Sequence, residues 1–270
     1  MKMNKKANSP FDFVIRTNIL PKSKRSQVTI FIILGLILVV VIALLFLLIK
    51  KPDVGLADEE NPQAYIESCT NDAVKEAVEI LLENGGDLEP KGSVMYNGKE
   101  IIYLCYNENY YRPCINQRPM LIEHIENEIT SYIQPRVSNC FQTLRTELES
   151  RYDVEMGNMK LTTKLQTKQV VIDIKRDFKM TRGDNVRSFT EFKANLINPI
   201  YDLAKIAMEI SNQEAHYCNF DILGFMIIYP KYDIQKFKTG DSDTIYTLKD
   251  LTTNQEFKFA IRSCALPAGF

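Results

Sequence analysis

The stretch GNMKLTTKLQTKQVVIDIKRDFKM, Gly157–Met180, is where the apolar period of the chain changes from about 3.6 residues to 2. Met159, Leu161, Thr163 and Leu165 alternate with Lys160, Thr162 and Lys164. Val170, Ile172, Ile174 and Phe178 alternate in the same way with Val171, Asp173, Lys175 and Asp177. Successive side chains of a strand point to opposite faces, so each run has one face suited to a core and one suited to water. Val186, Phe192, Ala194 and Leu196 share a third such face, and three half-buried antiparallel strands are predicted.

Upstream of this point the period is helical. Tyr65, Ile66, Cys69, Ala73, Ala77, Ile80 and Leu81 fall on one stripe that begins near Pro62 and ends at Gly85-Gly86. Val94-Met95-Tyr96, Asn97-Gly98 and Ile101-Ile102-Tyr103-Leu104 then spell a hairpin around a two-residue turn. From Pro119 to about Ser150 the pattern is helical again, with Pro135 expected to interrupt it between one stripe (Leu121, Ile122, Ile125, Ile129, Ile133) and another (Val137, Cys140, Phe141, Leu144, Leu148). Downstream, Asn198 and Pro199 open a helix with Ile200, Leu203, Ala207 and Ile210 on its apolar side. Short strands are expected at 225–229, 232–237, 244–248 and 257–261. The class is α+β, helices first and an antiparallel sheet with a packed helix second, in two closely packed subdomains at 63–156 and 157–270.

Further out lies TIFIILGLILVVVIALLFLLI, Thr29–Ile49, twenty-one residues without a charge. As a helix it would be about 31 Å long, matching a hydrocarbon core of about 30 Å, and no phase of it shows a polar face. The formal net charge of −1 conceals a division around this segment. Residues 1–51 carry nine basic side chains against Asp12 alone, a net of +8, and the remaining 24 basic and 33 acidic side chains leave −9. Basic residues flanking a span stay in the cytoplasm, and Lys22, Lys24 and Arg25 lie just before it. The expectation is a cytoplasmic tail at 1–28, a signal-anchor helix at 29–49, a stalk at 50–62 and an extracytoplasmic region to residue 270. The bilayer is thus one predicted partner, and the acidic outer part makes nucleic acid a poor one.

All six cysteines (Cys69, Cys105, Cys114, Cys140, Cys218, Cys264) follow the apolar segment, as an oxidising compartment would produce. Many pairings are open to six cysteines. Cys105 and Cys114 can close a small loop beside Pro113, Cys69 and Cys140 lie in two helical patterns that can pack together, and Cys218 with Cys264 would tie back the C-terminus.

The chain holds no G-x-S-x-G, G-x-G-x-x-G or H-E-x-x-H. Gly92–Lys99 fails the phosphate-loop spacing, and the Asn97-Gly98 turn explains its second glycine. His124 and Glu128 would share a helix face, but no third metal ligand is evident. His216 precedes Cys218, which cannot be a nucleophile if it is bridged. Arg182-Gly183-Asp184 reads as a turn between two strands. No catalytic residue, metal ligand or cofactor is therefore expected. The loop between Cys105 and Cys114 is richer: Tyr106, Tyr110, Tyr111 and Arg112 crowd it beside Tyr103, Asn107 and Asn109. Tyrosine and arginine on a constrained loop provide contact area at low entropic cost, so these four are the candidate partner-binding residues.

Lys22–Val40, KSKRSQVTIFIILGLILVV, resembles the start of archaeal pilin-like proteins with a class III signal, through Gln27, Val28 and Thr29. Ser26 and Phe31 stand where that family has glycine and glutamate. The segment is also similar to single-pass membrane proteins of small-genome archaea, as are Tyr65, Glu67, Cys69 and Gly85-Gly86. These resemblances imply a cell-envelope location and no particular activity. The expected function is a membrane-anchored binding protein of the cell surface, acting on a protein partner or on copies of itself. A pilin-like subunit and an anchored enzyme are the alternatives.

Overall fold

The computed structural model describes residues 32–41, 61–267 and 269. The chain divides into two units, Met1–Gly55 and Leu56–Phe270. In the first, residues 32–41 form helix α1, whose large apolar side chains from Ile32 to Val41 are exposed. Among the described residues no helix is long and apolar enough to cross a membrane. The rest of the expected 29–49 span, the 1–28 tail and residues 50–60 of the stalk lie outside the described residues.

The second unit begins with helix α2, Pro62–Asn84. The Asn61 side chain accepts from the Ala64 N–H at its start, and Gly85 ends it at φ 76°, in the left-handed region. Its buried stripe includes Val74, Val78 and Leu82 beside the expected Ile66, Ala73, Ala77 and Leu81, and Ile80 is only half-buried. Two strands follow, β1 (Ser93–Tyr96) and β2 (Lys99–Tyr106), joined through Asn97 and Gly98, both at positive φ as the Asn-Gly signal requires. After the short β3 (Ile115–Asn116) comes α3, Leu121–Leu148, one continuous helix. The interruption expected at Pro135 does not occur. Pro135 is exposed, while Ile133 and Val137 on either side are fully buried and hold the helix together.

Four strands form a purely antiparallel sheet: β4 (Asp153–Met156), β5 (Lys160–Gln166), β6 (Gln169–Arg182) and β7 (Asn185–Ile197). β7 pairs with β6 along its length, and β5 and then β4 occupy the opposite edge of β6. The predicted inward face of β6 is buried, and that of β5 is buried at Thr163 and Leu165 and half-buried at Leu161. β7 departs from expectation: a bulge between Lys175 and Phe178 shifts its register by one residue, so Phe189 sits opposite Phe178. A one-residue shift exchanges the faces, and Val186, expected on the core side, is 54% exposed.

Helix α4, Ile200–Tyr217, starts one residue later than predicted, yet Asn198 Oδ1 still accepts from the Ile200 N–H. The strand expected at 225–229 is instead part of a short helix, α5 (Ile222–Ile228), capped by Asp221 through the Gly224 N–H. A continuous apolar run carries no period, and the Asp-x-x-Gly cap decides it locally. The other three strands form as β8 (Tyr232–Lys238), β9 (Thr244–Asp250) and β10 (Glu256–Arg262).

The second sheet has the order β1-β2-β10-β9-β8, with β3 on β2. All its pairings are antiparallel except β2 with β10, which is parallel. The subdomain boundary expected at 156/157 is therefore overturned. β2 belongs to the same sheet as the last three strands, and β4 pairs with β6 across the supposed boundary. α2 and α4 each touch both sheets, and one continuous core runs from Ile66 to Ile261. At its centre Phe141 of α3 meets Phe192 edge-on at 4.9 Å, and Phe178 meets Phe192 edge-on at 6.3 Å.

The expected cysteine set forms: Cys69–Cys140 joins α2 to α3, Cys105–Cys114 closes the β2–β3 loop, and Cys218–Cys264 ties the C-terminal segment to the end of α4. Their sequence separations are 71, 9 and 46 residues. By loop-closure entropy, replacing the Cys69–Cys140 pair with alanines should lower stability by roughly 4 kcal/mol and replacing Cys105–Cys114 by roughly 2–3 kcal/mol, read by denaturant unfolding. Gly85 is a stricter test of the packing. A Cβ there would come within 2.8 Å of the Lys258 carbonyl oxygen, at a φ that already disfavours any other residue. Gly85→Ala is expected to cost about 2–4 kcal/mol, and a loss below about 0.5 kcal/mol would contradict the close approach of α2 to β10.

Candidate functional site

The parallel pairing of β2 with β10 places Tyr103 and Tyr106 beside Arg262, at the end of the sheet where the Cys105–Cys114 loop leaves it. These side chains line an open cavity of about 510 Å³. Lys91, Gly92 and Ser93 from the segment before β1 form another wall, Gln117 and Arg118 before α3 a third, and Asp243 at the start of β9 completes the lining. Tyr103 and Tyr106 pack ring to ring with centroids 4.9 Å apart. The Arg262 guanidinium donates to the Asp243 carboxylate at 3.3 Å and to the Asp241 carbonyl. Burial, and then the Asp243 carboxylate, push the Tyr103 hydroxyl above the usual phenol range, so it stays a neutral donor. The lining carries three cations, Lys91, Arg118 and Arg262, against Asp243.

A second cavity, of about 350 Å³, shares Lys91 and Arg118 with the first. Its centre is Asp87, placed by the Gly85-Gly86 end of α2 and 4% exposed. Asp87 receives Arg118 at 2.9 Å and faces His124 Nε2 at 2.6 Å. Burial works to raise the Asp87 pKa, but the hydrogen bonds from His124 and Arg118 outweigh it and hold the carboxyl below its ordinary value. Glu128, considered as a partner of His124 for a metal, accepts from the Leu88 N–H at 2.8 Å instead. Among the described residues no group of three or more His, Cys, Asp or Glu is placed to hold a metal.

The predicted contact loop is divided by the structure. Tyr106 lines the larger cavity. Tyr110 is half exposed and lies under Arg262, 5.3 Å from its guanidinium carbon. Tyr111 and Arg112 are exposed and do not line the cavity, and their backbones are tied down: Tyr111 N–H donates to Ala265, and the Arg112 carbonyl accepts from Cys264. Asn107 holds the loop from inside, donating to the Pro113 carbonyl and accepting from Asn109 N–H. Ser263 stitches the two neighbouring disulfide loops, accepting from Cys114 N–H and donating to the Glu214 carbonyl. The loop is thus a fixed surface. Asn97-Gly98 and Gly183 make turns, and the Cys218 beside His216 is bridged.

Several charged residues carry contacts that sequence reasoning passed over. Glu126 accepts from the Leu165 N–H and pairs with Lys164, fastening α3 to β5. Glu214, 3% exposed, accepts from the Tyr246 hydroxyl and pairs with Lys236 at 2.9 Å. In both, the signal was an acid at a core-facing helix position. No protein-family model, curated protein or solved structure matches the chain.

Asp87 supplies a pH test. Its folded-state pKa is depressed, so its contribution is complete above the unfolded value of about 3.9 and is lost as pH falls through the lower folded value. Asp87→Asn should be less stable than wild type at pH 7 and should converge on it on acidification below about pH 4, measured by denaturant unfolding across pH. A constant gap down to pH 2 would remove the carboxylate from the account.

Proposed function

We propose that the chain is a single-pass membrane protein, N-terminus inside, whose disulfide-bonded outer domain binds a partner at the cell surface through the Cys105–Cys114 loop and the adjoining cavity. The observation that carries this reading is the combination of Tyr106, Tyr110, Tyr111 and Arg112 on a covalently and hydrogen-bonded loop beside a cavity of about 510 Å³. A loop already held in one conformation loses little entropy on binding, and tyrosine and arginine supply most of the energy at interfaces of this kind. Three disulfides agree with an oxidising exterior. The uninterrupted apolar segment Thr29–Ile49 and the basic residues before it supply the anchor and its orientation. The reading assigns binding, because the surface offers hydrogen-bond donors, aromatic faces and paired charges.

Two measurements test the two halves of the proposal. External protease on intact cells should remove the domain following residue 52 and spare an N-terminal tag, whereas the reverse pattern would overturn the topology. Combined alanine substitution of Tyr110, Tyr111 and Arg112 should reduce surface cross-linking to the partner at least tenfold, roughly 1.4 kcal/mol or more of binding energy, with the three disulfides intact by mass. Unchanged cross-linking would move the interface elsewhere. A mature terminus near Ser26 would favour the pilin-like alternative, in which the apolar helix packs against copies of itself.

A further inference from the structure

Arg176 interrupts the inward face of β6. The residues on either side of it in that face, Ile174 and Phe178, are fully buried, and Arg176 itself is 9% exposed. It sits at the bulge, where β5 gives way to β4 along the edge of β6. Its Nε donates to the Gly157 carbonyl at 3.0 Å, and its guanidinium carbon lies 4.8 Å from the centre of the Phe141 ring. These contacts orient the side chain without neutralising it. Nη1 is buried and has no hydrogen-bond partner among the described residues. No carboxylate pairs with it among the described residues, whereas the buried acids Asp87, Glu126, Glu214 and Asp243 each face a cation and the buried Asp250 accepts from the Thr252 and Thr253 N–H groups. A guanidinium cannot shed its proton to escape this position, so a full positive charge sits on a largely buried side chain without a carboxylate counterion.

Arg176 lines a cavity of about 430 Å³ between α3 and the β4–β5 joint. Ser131, Gln134 and Ser138 line it from the helix and Asn158 from the joint, with Arg176 at the buried end. Pro135 also borders it, and a proline there provides no N–H to the Ser131 carbonyl. The lining holds one cation, no carboxylate and four hydroxyl or amide side chains.

We infer that this cavity is a binding site for a small hydroxylated monocarboxylate, whose carboxylate neutralises Arg176 and whose hydroxyls meet the Ser, Gln and Asn side chains. A carboxylate can accept from the guanidinium and balances its single charge. A phosphate dianion would bring a second negative charge that no lining residue offsets. The site is separate from the tyrosine loop and does not depend on the function proposed for it.

The test uses the full chain in detergent, with gluconate and acetate as probes and chloride and inorganic phosphate as controls at matched ionic strength. Calorimetric titration should give saturable binding of gluconate at one site, tighter than acetate, together with a rise in Tm that chloride does not produce. Arg176→Met keeps the stem that packs on Phe141 and removes the charge. Its unliganded Tm should equal or exceed that of wild type, since an unpaired buried charge is gone, and gluconate binding should fall at least tenfold. Asn158→Ala, on the exposed rim, should weaken gluconate more than acetate, which keeps the site testable if the Arg176 variant folds poorly. Absence of carboxylate binding to wild type, equal binding in Arg176→Met, or phosphate binding more tightly than gluconate would each overturn the assignment.

Discussion

The parallel pairing of β2 with β10 is the constraint around which the rest of the domain is arranged. Ile261 lies opposite Cys105, so strands from near the two ends of the domain are neighbours, and α3, the antiparallel sheet and α4 all lie within the connection between them. Parallel strands cannot be joined by a tight turn, and the loop-closure entropy of so long a connection must be offset by contacts made at its ends. Those contacts are present. Gly85 lets the end of α2 touch the β10 backbone, and two disulfides with Ser263 between them lock the strand ends together. The larger cavity exists because this pairing sets Tyr103 and Tyr106 beside Arg262.

Four buried carboxylates follow one logic, while a fifth, Asp250, is held by backbone N–H groups of its own turn. Asp87 joins the end of α2 to the start of α3, Glu126 joins α3 to β5, Glu214 joins α4 to the β8–β9 pair, and Asp243 joins β9 to β10. Each of these four meets a cation from another element, so each is a geometrical link as well as a compensated charge. Arg176 departs from this pattern at the point where the sheet itself is irregular, with a bulge on one edge of β6 and a change of partner on the other. Irregular backbone and a buried donor without a partner coincide there, and bulges are over-represented beside functional sites.

Both candidate surfaces sit at seams between elements rather than on the face of any single one. The tyrosine loop is held by β2, β10 and the C-terminal segment, and the Arg176 cavity by α3 and the β4–β5 joint. The binding proposed for these two surfaces would use seams already set by the fold.

Local rules made much of this chain legible. Alternation predicted β5 and β6, the Asn-Gly turn predicted the hairpin, capping residues placed α2 and α4, and loop length and helical phase led to two cysteine pairs, with Cys218–Cys264 as the remainder. The charge division around Thr29–Ile49 is likewise a property of composition alone. What tertiary structure decided was long-range: that β2 joins the C-terminal strands, that β4 crosses the expected boundary, that α3 runs through Pro135, and that a bulge turns Val186 outward. The same holds for the sites, since Tyr106 was visible as part of a crowded loop but its cavity needed Lys91, Arg118 and Arg262 from distant segments. Arg176 showed only as a gap in an apolar stripe, and its isolation is a fact about what packs around it. Periodicity and capping act over a few residues and are written in the sequence, whereas sheet order and the pairing of buried charges depend on contacts between residues far apart along the chain.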